Sequence, residues 1–204
     1  MCGRFTQTAG LETLERRFRL APSPLRLAPR FNIAPEQEAP TALPGRTLRL
    51  LRWGLRLASK PVINARAETL AIKPSFRAAL SSRRCLVLAD GFYEWKGSRP
   101  VRFTLMDGSP FAFAGLWEDD RFAIVTTTPN RLVAAVHDRM PAMLLPEEED
   151  AWLAEEAGEE TLLGLLKPYP AGRMRSAPAS TLVNSPKNDS PDCLRAEGPE
   201  PELF

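Results

Sequence analysis

The sequence predicts an α+β fold: a single domain whose curved, mainly antiparallel, barrel-like β core is flanked by short helices. Three observations carry that expectation. Short apolar runs bounded by Gly, Pro and Asp fill the middle of the chain, as strands separated by turns do. Apolar residues at helical spacing occur only in short stretches. No internal repeat and no long linker divides the 204 residues, a length that fits one ordinary domain.

Taken in order, Leu11, Leu14 and Phe18 recur at helical spacing, and Pro22 stops that helix. The proline-rich stretch 21–44 reads as an extended, wrapping segment. Residues 48–57 partly alternate and suggest a strand carrying Trp53. Residues 68–81 look helical with a break at Pro74. Strand candidates follow at 85–89, 101–105, 111–113 and 122–127, then helices at 130–136, 147–154 and 162–166, the last ending before Pro168. The tail from about residue 190 is polar and proline-rich and reads as loosely held. Trp95 and Trp117 are assigned to the core.

Composition narrows the function classes. At 44% hydrophobic and 25% charged the chain can bury a real core. It has no apolar run near the roughly 20 residues of a membrane helix and no basic-then-apolar leader. A monomer in the cytoplasm is therefore expected, away from membranes. Three scattered cysteines (Cys2, Cys85, Cys193) and one histidine rule against a disulfide framework and a zinc cage, so no metal or organic cofactor is expected. Phosphate-cradling glycine loops and a G-x-S-x-G nucleophile motif are absent. The net charge is only +2, but the basic residues, nearly all arginine, crowd the first two-thirds. Arginine suits phosphate forks and base stacking, although codon usage explains the bias as well.

The start of the chain carries chemistry. Cys2 is small enough for Met1 to be removed, which leaves a free α-amine and a thiol on one residue. An α-amine has a pKa of about 7.7–8.0, so part of it is nucleophilic at neutral pH. Amine and thiol together capture an aldehyde as a Schiff base that closes to a thiazolidine. A second-position cysteine alone would mean little.

It is joined, however, by a series of motifs: Cys2-Gly3-Arg4-Phe5, Phe31-Asn32-Ile33-Ala34-Pro35, Trp53-Gly54-Leu55 and Asn64-Ala65-Arg66-Ala67-Glu68-Thr69. Then come Arg84 to Trp95 with Asp90-Gly91-Phe92-Tyr93-Glu94, Phe113 to Glu118, Thr126 to Asn130, and His137-Asp138-Arg139-Met140-Pro141. Together they resemble the SRAP family, SOS-response-associated peptidases that shield abasic sites in single-stranded DNA. The likeness runs from Cys2 to about Asn188. Phe31 stands where members of the family often carry tyrosine, which removes one hydroxyl contact.

The resemblance implies Cys2 as covalent nucleophile, Glu94 as acid–base group, His137 as proton donor to the sugar oxygen or Schiff base, and Asn64 as the group that holds Cys2. It implies single-stranded DNA with an abasic site, including junctions with duplex, as the partner. Arg4, Arg66 and Arg139 are placed for phosphates, and Arg77 with Lys73 extends that track or forms a solvated helix face. Trp53-Gly54-Leu55 is either a wedge against bases beside the lesion or, at Trp53, plain core. Asn32, Pro35, Thr127, Met140 and Pro141 match positions lining the family's DNA groove. A thiol peptidase acting on other proteins and a non-covalent single-strand binding module remain the competing readings.

Overall fold

Thr47–Trp53 (β4) folds back on Glu38–Leu43 (β3) through a tight turn at Pro44–Arg46, with pairs running from Leu43↔Thr47 to Glu38↔Arg52. From there a ring of strands closes. β3 pairs with Arg84–Ala89 (β8), β8 with Phe111–Glu118 (β11), and β11 with Arg121–Thr127 (β12), all antiparallel. β12 then meets β4 in parallel at Phe122↔Trp53 and shuts a five-stranded barrel. This computed structural model describes residues 2–56 and 61–195. The fold class is the one the sequence predicts.

The alternation of side chains along these strands separates two cores. Leu86, Leu88, Ala112, Ala114, Leu116, Ala123 and Val125 point outward, beneath Leu11–Phe18 (α1), Pro74–Ser82 (α2), Glu149–Leu153 (α4) and Glu159–Leu165 (α5). Cys85, Val87, Phe113, Phe122 and Ile124 belong to the inner core. The ring is narrow: a Cβ on Gly115 would lie 2.7 Å from the Cys85 sulfur. A five-stranded antiparallel sheet packs onto this inner core in the order Met174–Pro178 (β15), Arg99–Leu105 (β10), Gly91–Lys96 (β9), Phe5–Gln7 (β1), Arg30–Ile33 (β2). Phe5 lies 5.1 Å, ring to ring, from Trp53 and 5.7 Å from Phe113, and Phe92 stacks on Phe103 at 5.0 Å.

The parallel edge of β12 is shared. Its first residues pair with β4, and Ile124–Thr126 pair with Asn64–Arg66 (β7). Between the two, the chain leaves the barrel as Leu55–Arg56 (β5) and Pro61–Val62 (β6). Gly54 makes the exit: its φ is +132°, and a Cβ there would lie 2.7 Å from Glu36 Oε1 and 3.0 Å from Pro61 Cβ. Only glycine takes that conformation without strain.

Several expectations change. The stretch 21–44 holds two strands rather than a plain wrapping segment; Pro40 is tolerated because the β8 pairing covers only Thr41 and Ala42. Residues 190–194 are anchored, with a short helical turn at Pro191–Leu194 and Cys193 fully buried against Tyr93, Ala179 and Val183. The rest of the tail lies outside the described residues, as does Leu57 at the end of the predicted 48–57 strand. Trp95 and Trp117 are only half-buried, Trp95 donating from Nε1 to Asn184 Oδ1 at 2.7 Å. The fully buried indoles are Trp53 and Trp152.

Candidate active site

Cys2 enters the inner core just ahead of β1. β1 pairs with β9 at Phe5↔Phe92, and the Tyr93 amide donates to the Arg4 carbonyl at 3.0 Å, so the first residues run alongside Glu94. Phe92 and Glu94 share one face of β9 and look into the inner core; Tyr93 and Trp95 look the other way, where Tyr93 packs against Cys193. Asn64 opens β7, opposite Ile124, and donates from Nδ2 to the Cys2 carbonyl at 2.8 Å. Its Oδ1 is buried and without a hydrogen-bond partner among the described residues. His137 follows Arg131–Ala134 (α3), and Met140–Pro141 (β13) pairs with the end of β12. Its Nε2 lies 3.9 Å from Glu94 Oε2. Four residues from four distant segments therefore meet at one end of the inner core.

Electrostatics tune each group. Glu94 is 2% exposed, and burial pushes its carboxyl up to about 7, so both protonation states are available at neutral pH. Burial first, and then the charge on Glu94, push the Cys2 thiol well above its ordinary value. It therefore stays protonated until a base takes its proton. Burial holds His137 below its usual 6.5, so the neutral imidazole prevails. Arg4 is half-buried, pairs with no carboxylate among the described residues, and has a buried Nε without a partner. Arg66 shares the Asn64 face of β7 and is exposed.

Other expected contacts fall elsewhere. Trp53 is 0% exposed, wedged among Phe5, Phe122 and the barrel wall, with Nε1 donating to the Ile63 carbonyl at 2.8 Å. Its ring is core, and no face is left for a base. Asn32 is equally buried; its Nδ2 donates to the carbonyls of Val183, Ser185 and Asn188, fastening the C-terminal segment to β2. Gly54, Leu55, Thr127, Met140 and Pro141 are buried as well, the last four with side chains that shape walls; Pro35 is half-exposed. Arg139 is occupied: it forks onto Glu68 and the Thr126 carbonyl. Arg77 and Lys73 are exposed, and Arg77 faces Glu159 beside Glu155 and Glu156, acidic company for a phosphate contact. Asp90, to which the sequence assigns no role, accepts from Thr6 Oγ1, Thr8 Oγ1 and the Ala9 amide and so fixes β1; its signal in the sequence is the Asp90-Gly91 pair ahead of Glu94.

Comparison with known proteins decides the family. The sequence profile described as SOS response associated peptidase (SRAP) matches residues 1–186. The chain belongs to the SRAP family. Among its relatives, the abasic site processing protein YoqW of Bacillus subtilis is 40% identical, with 96% of this chain and 100% of that one covered. The abasic site processing protein YedK of Escherichia coli is 29% identical over 96% of this chain and 99% of its own. In structure, a phage-related protein from Bordetella bronchiseptica is similar at a TM-score of 0.72, with 30% identity, 87% of this chain and 93% of that one covered. A protein from Bacteroides thetaiotaomicron shares the fold at a TM-score of 0.85, with 96% of this chain and 100% of that one covered at 24% identity. No helix among the described residues is long and apolar enough to cross a membrane.

Proposed function

We propose that this protein processes abasic sites, capturing the ring-opened sugar in single-stranded DNA through Cys2 and shielding it as a thiazolidine. The convergence of Cys2, Asn64, Glu94 and His137 is the observation that carries this reading, and the names of its relatives agree with it. Hydrolysis of the Met1–Cys2 peptide bond first frees the Cys2 amine. That amine adds to the aldehyde carbon, forming a C–N bond and, with loss of water, a Schiff base. The thiol then adds to the same carbon, forming a C–S bond as its proton passes to a base, and a five-membered ring closes. A thiol held protonated by burial suits this order, with the amine attacking first. Glu94, titrating near 7, can take a proton from amine or thiol and return it to the departing oxygen. His137 supplies a proton to the sugar oxygen. Asn64 anchors the Cys2 carbonyl through Nδ2, and its buried Oδ1 is open to accept a proton donor. Arg4 and Arg66 take flanking phosphates. The raised Cys2 thiol also argues against a thiol peptidase, which needs a thiolate.

Intact mass tests the reading. Protein lacking Met1 should gain the mass of an abasic oligonucleotide less one water, stable to heat, and gain nothing from an intact strand. Cys2→Ala should abolish the adduct, whereas Cys85→Ala and Cys193→Ala should keep it. A heat-stable adduct from protein that retains Met1 would overturn the mechanism. Reversible retention alone would favour the binding-module reading, and hydrolysis of unrelated peptides the peptidase one.

A further inference from the structure

Glu68 takes no part in the chemistry above. It stands beside it, with its carboxyl held below the ordinary range chiefly by its bond to Arg139. We propose that Glu68 is a positioning residue: acting through Arg139, it keeps His137 in the one tautomer that presents an N–H to Glu94. The proposal takes its relevance from the reaction just described, but its geometric content stands apart from that reaction.

Arg139 is gripped on two sides. Nη1 donates to Glu68 Oε1 at 2.6 Å, and Nη2 donates to Glu68 Oε2 at 3.0 Å and to the Thr126 carbonyl at 2.7 Å. The arginine side chain is 12% exposed and the Glu68 side chain 49%, so the arginine end of the fork is sheltered while the carboxylate reaches solvent. It ties residue 139 both to β12 and to the turn Ala67–Thr69. The Arg139 amide in turn donates to His137 Nδ1 at 3.0 Å, while the His137 amide donates to the Val133 carbonyl at 2.9 Å. The turn 137–139 is thus fixed at both ends.

A ring nitrogen that accepts a hydrogen bond carries no proton, so the neutral imidazole must carry its proton on Nε2. Nε2 is the nitrogen that faces Glu94. One neighbour opposes this arrangement: Asp138 Oδ1 lies 3.0 Å from the same Nδ1 and favours a proton there. That carboxylate is 86% exposed and water-screened, whereas the Arg139 amide is held in place. Release of the Glu68 fork frees the amide and lets Asp138 prevail. Nε2 would then confront Glu94 as an acceptor, and the direction of proton delivery would reverse.

His137 is the single histidine of the chain, so selective ¹⁵N-histidine labelling yields two ring-nitrogen signals and no others. In the wild-type protein above the ring's titration, Nδ1 should resonate as unprotonated and Nε2 as protonated. Glu68→Gln should raise the Nδ1–H fraction by roughly tenfold, the scale of one hydrogen bond. It should also slow adduct formation, and adding Asp138→Asn should reverse both effects. A wild-type spectrum with Nδ1 protonated, or a Glu68→Gln spectrum identical to wild type, overturns the proposal. If Glu68→Gln does not fold, Arg139→Lys keeps the amide but loses the fork and is judged by the same two spectra. A tautomer shifted by Glu68→Gln, in a protein whose wild type forms no adduct, leaves the positioning intact and removes the reaction reading. Adduct formation without any tautomer shift does the opposite.

Discussion

Trp53→Ala separates a buried anchor from a DNA wedge, because the two roles predict opposite patterns. The indole is fully buried, edge-on to Phe5 at 5.1 Å and parallel to Phe122 at 6.2 Å, and it satisfies the Ile63 carbonyl. Removing such a ring costs about 3–5 kcal/mol through lost contacts and a residual cavity. In a chain of this length each kcal/mol moves the melting temperature by about 2–4 °C, so the midpoint should fall by roughly 6–20 °C. Trp53→Phe keeps most of the volume and loses only the indole bond to the Ile63 carbonyl, which still accepts from the Ile124 amide at 3.0 Å, a loss of about 0.5–1.5 kcal/mol. Ile63 adjoins Asn64, so this milder variant should also slow adduct formation. Thermal melts by circular dichroism, paired with single-strand binding well below the midpoint, read both quantities. A Trp53→Ala protein that melts within 2 °C of wild type, on the order of one kcal/mol, yet binds DNA tenfold or more weakly would refute the buried-anchor reasoning.

Two further outcomes follow from the geometry. Glu94 titrates near 7 in the folded chain against an ordinary 4.5, so the folded state binds the extra proton between those values. Its contribution to stability is therefore undiminished below about pH 4.5 and declines as the pH rises through 7, by at most about 3 kcal/mol. Glu94→Gln should accordingly melt higher than wild type at pH 8 and alike at pH 4.5, and denaturant titrations at the two pH values check it. Asp189 accepts from the amides of Phe31 and Asn32 and pairs with Arg30, so Asp189→Ala should cost about 2–3 kcal/mol and loosen residues 183–195 together. Hydrogen exchange localised to that segment is the measurement.

What could be read beforehand followed physical signal rather than position. Strands with turn chemistry at their ends, such as those around 85–89 and 122–127, declared themselves. β9 did not, because Phe92 and Glu94 enter one core while Tyr93 packs into another, which erases the alternation that marks a strand. The four residues of the candidate site were legible through their motifs, since each stands in a fixed local pattern. The direction in which a side chain points was not. Trp53-Gly54-Leu55 reads equally as a surface wedge and as wall until the parallel pairing with β12 is known. Arg139 looked like a free cation because its counter-charge, Glu68, is 71 residues away. Asn32 looked like a groove residue because its three carbonyl partners come from the far end of the chain.

The seating of β1 has a consequence for how the protein comes into being. Strand β1 is held by Phe5↔Ile33 and Phe5↔Phe92, Cys2 is fastened by Asn64, and β2 is locked in turn by residues 183–189. The segment synthesised first is thus completed by the segments synthesised last, and such long-range closure is slow. A chain that stops before residue 137 lacks the histidine of the candidate site, and one that stops before residue 183 lacks the carbonyls that hold Asn32 on β2. Under the proposed chemistry, a truncated translation product carries the same cysteine without its assembled partners and is expected to form no adduct.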